Sequence, residues 1–282
     1  MDNPFEPINH VKDCRYGKML YNIHDMYIGK ALDLYGEYCQ FEIDIFEHLV
    51  KPGDVALDLG ANMGSHTVYY AQKVGPKGAV IAVEPQRIIY QILCANVALN
   101  SLLNVHCLHY AVGDAAGDII IPPIDYSKDN NFGAIGLGSF TQGERVSVML
   151  LDNLQVPRCD LIKIDVEGME TAVLRGATKM IQQHNPVLFV ENDRQEHSRE
   201  LLETLFGFGY QLYWACTPYF NPNNYFNNNE NIYGRSMSVN MLCLPEGYGR
   251  QPNLPPITSS DVNIIELLSS GKLAPFDPNN IF

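Results

Sequence analysis

The chain has 282 residues, 46% hydrophobic and 18% charged, enough apolar material for one sizeable core with appended segments. A net charge of -13 argues against nucleic acid or an anionic membrane as partner, because phosphate binding needs clustered Lys and Arg. No apolar run approaches the ~20 residues of a membrane-spanning helix, and MDNPFEPINH lacks the apolar core of a signal peptide.

The seven cysteines are scattered, without a C-x-x-C pair, and several lie inside apolar runs. Buried, reduced thiols and a cytoplasmic location are the expectation.

From Val55 onward, apolar runs alternate with helix-like segments. VALDLG reads as a strand, SHTVYYAQKV as a helix closed by GPKG, and AVIAVEP as a second strand ended by Pro85. IIYQILCANVALN is the next helix and NVHCLHYAVGD the third strand. IIIPPI, a Gly/Asn-rich loop and RVSVMLL lead to the strand DLIKIDVEG, the helix METAVLRGATKMIQQH and the strand PVLFVEND. EHSRELLETLFGFG is a helix, and YQLYWAC and SVNMLCLP pair antiparallel at one edge. This alternation predicts a mostly parallel sheet with helices on both faces. Residues 53–244 form that domain, with residues 1–52 as an N-terminal cap on the substrate side and 245–282 as a Pro-rich extension. One short helix is expected at DVNIIELLSS.

Between the first strand and its helix stands D-x-G-x-x-x-G, from Asp58 to Gly64. Glycines let the backbone approach a ligand, and a carboxylate at a strand end accepts hydrogen bonds from an amine or a sugar hydroxyl. Glu84 ends the next strand, where an acidic group grips ribose. A dinucleotide fingerprint would need glycine at Asn62, and Asp58 would repel a pyrophosphate. A cationic adenosyl ligand fits the turn better, which counts against a nucleotide-linked dehydrogenase.

DLGANMGSHT followed by VEPQ, AVGD and LIKIDVEGMETAVLRGA resembles the FkbM-type S-adenosylmethionine-dependent methyltransferases, from roughly Tyr16 to Leu244. The resemblance implies a Rossmann-like class I methyltransferase fold with a seven-stranded sheet, S-adenosylmethionine as donor and a hydroxyl acceptor on a sugar or natural product. It further implies that Asp58, Gly60, Asn62 and Gly64 cradle the methionine end and ribose, that Glu84 takes the ribose hydroxyls and that Asp114 meets the adenine amino group. Glu37, in a family-like GEY, would help close the donor site.

An aliphatic hydroxyl is a poor nucleophile until it loses its proton, so a base or a metal is needed beside it. Ligands of open α/β sheets bind beyond the carboxyl ends of the strands, which selects Asp165, Glu167, Glu191, Asn192 and Asp193. His66, on the first turn of a helix facing that crevice, is a further candidate base. In the metal alternative, Asp165, Glu191 and Asn192 resemble the magnesium site of catechol O-methyltransferases, and such oxygen ligands suit Mg²⁺ or Ca²⁺. The Asn/aromatic segment from Asn221 to Tyr233 offers either an acceptor pocket or a surface turn region. His24, Asp25 and Tyr27 are placed near the acceptor. The rivals are methylation of a carboxylate, nitrogen or lipid hydroxyl on the same scaffold, and a non-catalytic adenosyl-binding scaffold.

Overall fold

A computed structural model describes residues 7–136, 140–269 and 276–282. The chain opens with a hairpin, β1 (Asn9–Cys14) and β2 (Gly17–Asn22), followed by α1 (Ile28–Tyr35) and α2 (Gln40–Leu49). β3 (Val55–Leu59), α3 (Ser65–Val74), β4 (Ala79–Val83), α4 (Arg87–Leu99) and β5 (Val105–Leu108) form the first alternating half. Three short strands follow: β6 (Ala111–Val112), β7 (Gly117–Ile121) and β8 (Glu144–Met149). The second half holds β9 (Leu161–Ile164), α5 (Glu170–Arg175), α6 (Thr178–His184), β10 (Val187–Glu191) and α7 (Gln195–Gly207). It continues with β11 (Gln211–Pro218) and β12 (Met237–Leu244), and the tail adds β13 (Pro256–Ile257) and α8 (Ile264–Ser269).

The main sheet has the order β13-β11-β12-β10-β9-β3-β4-β5. β10, β9, β3, β4 and β5 run parallel, and β12 enters antiparallel between β10 and β11. The predicted seven-stranded sheet is present, with the two-residue β13 added at its edge. The strands are buried on both faces, as parallel strands between helices must be. Leu57, Leu59, Ile162, Ile164, Leu188 and Val190 pack with Val173, Leu174, Leu201, Leu202 and Leu205 of α5 and α7. Ala56, Leu161 and Phe189 face the other way, onto Ile43, Phe46, Tyr70 and Val74 of α2 and α3. Each fully buried large apolar side chain contributes about 1.5–3 kcal/mol.

Two sequence expectations change. NVHCLHYAVGD is not one strand: β5 stops at Leu108, and Ala111–Val112 pairs with β8 in a separate three-stranded sheet, β6-β8-β7. METAVLRGATKMIQQH is two helices that meet at Gly176, where a Cβ would lie 2.0 Å from the carbonyl oxygen of Gly113. That close approach packs the helix junction against the β6 segment. Among the described residues no helix is long and apolar enough to cross a membrane.

Candidate functional site

A cavity of about 560 Å³ opens beyond the carboxyl ends of β3, β4, β9 and β10. This volume is in the range of small-molecule sites, and the position is the one an open α/β sheet offers a ligand.

The glycine turn forms one wall. Gly60 has φ +75°, and a Cβ there would sit 1.8 Å from the carbonyl oxygen of Asp165, so only glycine lets β3 and β9 end so close together. Asn62 also adopts positive φ, and its backbone N–H donates to Glu84 Oε2 at 2.9 Å. Gln86 N–H donates to Glu84 Oε1 at 2.8 Å. Burial pushes the Glu84 carboxyl up to about 7, against the pull of those two N–H groups. Two donors leave part of this carboxylate's accepting capacity open to the cavity. A loop closes over the wall, with Gln86 Nε2 bonded to the Phe132 carbonyl at 2.7 Å and Gly133 at the cavity surface.

The floor comes from β9 and the D-V-E-G bend after it. Period-two alternation puts Lys163 and Asp165 on the same side of the strand as Leu161. Lys163 is buried and its Nζ lies 2.8 Å from Asp165 Oδ2. Burial opposes its charge, but Asp165, Asp58 and Glu42 overcome that and move its pKa upward. Glu167 and Gly168 both have positive φ, and the N–H groups of Val166 and Gly168 donate to Glu170 Oε1. Glu170 therefore holds the bend. Glu167 turns into the cavity and pairs with Arg194, while burial and the nearby Asp165 push its carboxyl up to about 8. Glu191, at the end of β10, carries a buried Oε2 without a hydrogen-bond partner among the described residues, and burial followed by Asp165 and Asp193 raises its pKa.

Asp165, Glu167 and Glu191 each bring a carboxylate oxygen within 4.8 Å of the others. Asp165 and Glu191 belong to the expected ligand set, and its third member, Asn192, lies apart from them. Asn192 follows Glu191 on the opposite side of the chain, is buried, and donates to Met241 Sδ at 3.3 Å; Glu167 takes its place in the cluster.

The remaining wall comes from α2, α3 and the entry to β12. His66 is buried among the rings of Tyr38, Phe46 and Tyr70. Its Nε2 lies 3.2 Å from Glu42 Oε2, an ion-pair distance without an aligned hydrogen bond. Glu42 also accepts from Ser238 Oγ at 2.6 Å and Asn240 Nδ2 at 2.9 Å. Burial works to raise the Glu42 pKa, but His66, Lys163 and Ser238 outweigh it and the net direction is down. Tyr27, Tyr38, Tyr219 and Arg235 complete this half.

Several expected site residues lie elsewhere. Asp58 sits behind the turn, 1% exposed, where it accepts from Thr67 Oγ1 at 2.5 Å, and neither it nor Gly64 lines the cavity. Asp114 is exposed and outside the cavity, because the chain has already left the main sheet; Tyr110 to Val112 form the wall there. Glu37 is a buried clamp that accepts from Arg15, Asn221 Nδ2 and the Tyr225 N–H, away from the cavity. His24 pairs with Asp129, and Asp25 accepts from the Tyr27 and Gly29 N–H groups at the start of α1, so only Tyr27 of that trio reaches the cavity. Between Asn221 and Tyr233 the segment is a turn region whose buried amides are used in packing, Asn224 on Asn221 and Asn228 and Asn221 on Glu37. Gly60, Asn62, Glu84, His66, Asp165, Glu167 and Glu191 do meet in one place.

Sequence reasoning missed Glu42, Lys163, Arg194, Tyr38, Tyr219 and Arg235. For Lys163 a signal existed: a lysine in the apolar run LIKI, two residues before Asp165, has to share its face. Glu42 gave none, because α2 precedes the alternating region.

Residues 58–212 match the family described as the Methyltransferase FkbM domain. The chain is 29% identical over 161 residues to the hexuronic acid methyltransferase AglP of Haloferax volcanii, covering 57% of this chain and 64% of that protein. It is 27% identical over 154 residues to the methyltransferase sdnD of Sordaria araneosa, covering 43% of this chain and 59% of that one. The chain thus spans less than two thirds of either relative. Among solved structures, the methyltransferase FkbM of Methylobacillus flagellatus aligns with a TM-score of 0.44 and 17% identity over 77% of this chain and 55% of that one.

Proposed function

The chain belongs to the FkbM methyltransferase family, and from that premise we propose that it is an S-adenosylmethionine-dependent O-methyltransferase acting on a hydroxyl of a sugar or small glycan. The carrying observation is the cavity's division into two unlike halves. Glu84 and the Gly60 turn stand on one side, and Glu42, His66 and the tyrosines stand on the other.

The donor half fits the cofactor by its chemistry. Glu84 is a buried carboxylate with accepting capacity left for ribose hydroxyls, and Val83, Pro85 and Ala111 offer an apolar wall for a base. Asn62 and Glu84 would hold the ribose and Ser65 would face the methionine end. When bound, S-adenosylmethionine supplies an electrophilic methyl whose carbon–sulfur bond breaks as the carbon–oxygen bond to the acceptor forms.

The chain's own task is then to orient the acceptor oxygen and remove its proton. His66 is the base in this reading, and Glu42, fixed by Ser238 and Asn240, stabilises the imidazolium that proton uptake produces. Lys163 and Asp165 set the charge of the floor between the halves. Tyr27, Tyr38 and Tyr219 pack on one another and line the cavity, where they would offer apolar ring surface to sugar carbons.

A second reading is favoured by the cluster of Asp165, Glu167 and Glu191: a Mg²⁺ or Ca²⁺ ion held there would acidify the acceptor hydroxyl. Against it, Arg194 already pairs with Glu167 and Lys163 with Asp165, so the ion would compete with two resident cations.

Methyl-labelled S-adenosylmethionine, incubated with the protein and a panel of glycosides with and without EDTA, tests these readings. Alkali-stable label that survives EDTA supports a sugar ether made by a general base. Loss of label with EDTA, restored by Mg²⁺ or Ca²⁺, selects the metal. Alkali-labile label identifies a methyl ester and overturns the hydroxyl assignment.

A further inference from the structure

The cavity holds three cations, and they are not equivalent. Lys163 is paired with Asp165 and Arg194 with Glu167. Arg235 lines the same cavity and makes no ion pair or hydrogen bond among the described residues. Arg235 is exposed at the mouth of the cavity, where solvent satisfies its charge in the absence of a ligand. Its lack of an internal partner leaves a planar guanidinium open to a ligand.

Its place in the fold assigns it to the acceptor. β12 runs antiparallel to β10 with Glu191 opposite Asn240, so residues 235–239 continue past the carboxyl end of β10 and over the cavity. Ser236 O accepts from the Tyr219 N–H at 3.3 Å, which ties the Arg235 segment to the strand end that carries Tyr219. Glu84 and the Gly60 turn belong to β3 and β4, beyond β9 in the same sheet. Tyr219 stacks on Tyr38 with centroids 6.0 Å apart and meets Tyr27 edge-on at 5.7 Å. Tyrosine rings and a free guanidinium lining one cavity, joined through the Tyr219–Ser236 link, match a pyranose that bears a carboxylate.

Resting on the O-methyltransferase reading above, we propose that Arg235 is a specificity-determining residue that binds the carboxylate of an anionic sugar acceptor, a uronic acid residue. The sugar's apolar face packs on the tyrosines and its carboxylate takes two N–H donors of Arg235. The acidic groups Asp165, Glu167 and Glu191 disfavour the opposite orientation, in which that carboxylate would face them.

The test uses the full chain saturated with S-adenosylhomocysteine and, as probes, methyl glucuronide, methyl galacturonide and methyl mannuronide, each against its neutral methyl hexoside, by calorimetry. At least one uronide is expected to bind about 10-fold or more tightly than its neutral counterpart, with a preference that falls as salt rises. Arg235→Ala brings the two affinities together, and Arg235→Lys keeps part of the difference. Equal affinities in the unaltered protein, binding of neither probe, or a preference that survives Arg235→Ala overturns the proposal. Labelled-methyl transfer to the bound uronide is scored separately. A uronide that binds through Arg235 and is never methylated overturns the transferase reading and leaves the Arg235 site standing.

Discussion

His66 Nε2 lies 3.2 Å from Glu42 Oε2, and both groups are buried against the cavity. Ser238 and Asn240 hold the carboxylate from the other side, so α2, α3 and β12 meet at one charge. A carboxylate beside an imidazole stabilises the protonated ring, which is what a general base needs at the moment it takes a proton. Glu42→Gln keeps the volume and can still accept from Ser238 or Asn240, but it loses the charge. It should lower kcat about 100-fold, the usual scale of general-base catalysis, with S-adenosylhomocysteine affinity retained. His66→Ala should do the same, and the double variant should be no slower than His66→Ala alone, because the two residues act as one unit. Multiplicative losses in that cycle would show that Glu42 acts apart from His66.

Gly60 and Gly53 both adopt positive φ, but their surroundings differ. A Cβ at Gly60 meets the Asp165 carbonyl oxygen at 1.8 Å, whereas one at Gly53 meets nothing within 4 Å. Left-handed backbone costs a non-glycine residue roughly 1–2 kcal/mol in either case. Gly60→Ala adds a backbone overlap that only separation of β3 from β9 relieves. Thermal denaturation should place its Tm at least about 4 °C below that of Gly53→Ala, given ~2–4 °C per kcal/mol in a chain of this size. Equal Tm values would mean that the strand ends yield freely.

With the donor role proposed for it, Glu84 would tie S-adenosylmethionine binding to pH. Burial raises its pKa from an ordinary 4.5 to about 7. A carboxyl raised in this way contributes stability that is full below about pH 4.5 and is lost as pH rises through about 7. Ribose hydroxyls donate best to the ionised form, so donor binding has the opposite sign. Affinity for S-adenosylhomocysteine should climb about 10-fold between roughly pH 6 and pH 8, and binding near pH 6.5 should release a proton. Calorimetry in two buffers of different ionisation enthalpy reads that proton, and Glu84→Gln should flatten both effects. A pH-independent affinity in the unaltered chain removes Glu84 from the donor site.

What the sequence made legible follows from which signals are local. Glycine turns, strand-end acids and strand–helix alternation are short-range, and they located Gly60, Asn62, Glu84, Asp165 and Glu191 in one cavity. Roles that depend on which way a side chain points after a strand ends were not legible. Asn192 differs from Glu191 by one step of the period-two alternation, and that step sends it to Met241 instead of the acidic cluster. Asp114 failed for a longer-range reason, since nothing in NVHCLHYAVGD marks the passage from the main sheet to the smaller one. Glu42 and Arg235 come from segments outside the alternating pattern, 193 residues apart along the chain, and only tertiary pairing joins α2 to the entry of β12.

One buried carboxylate anchors the first part of the Asn-rich segment, while Tyr35 and Tyr27 hold its later part. Glu37 accepts from Arg15 Nε at 2.6 Å, Asn221 Nδ2 at 2.8 Å and the Tyr225 N–H at 2.9 Å. The segment's flanks, Tyr219 and Arg235, line the cavity on the side proposed for the acceptor, and none of residues 221–233 lines it. Glu37→Gln places an amide where donors converge and leaves at least one of them unpaired, at a cost of about 1–3 kcal/mol. The loss should fall on the segment locally. Limited proteolysis should cut faster between residues 221 and 233, KM for the sugar acceptor should rise several-fold, and S-adenosylhomocysteine affinity should hold. If donor affinity falls as far as acceptor use, the clamp supports the whole cavity and the two halves are not independently built.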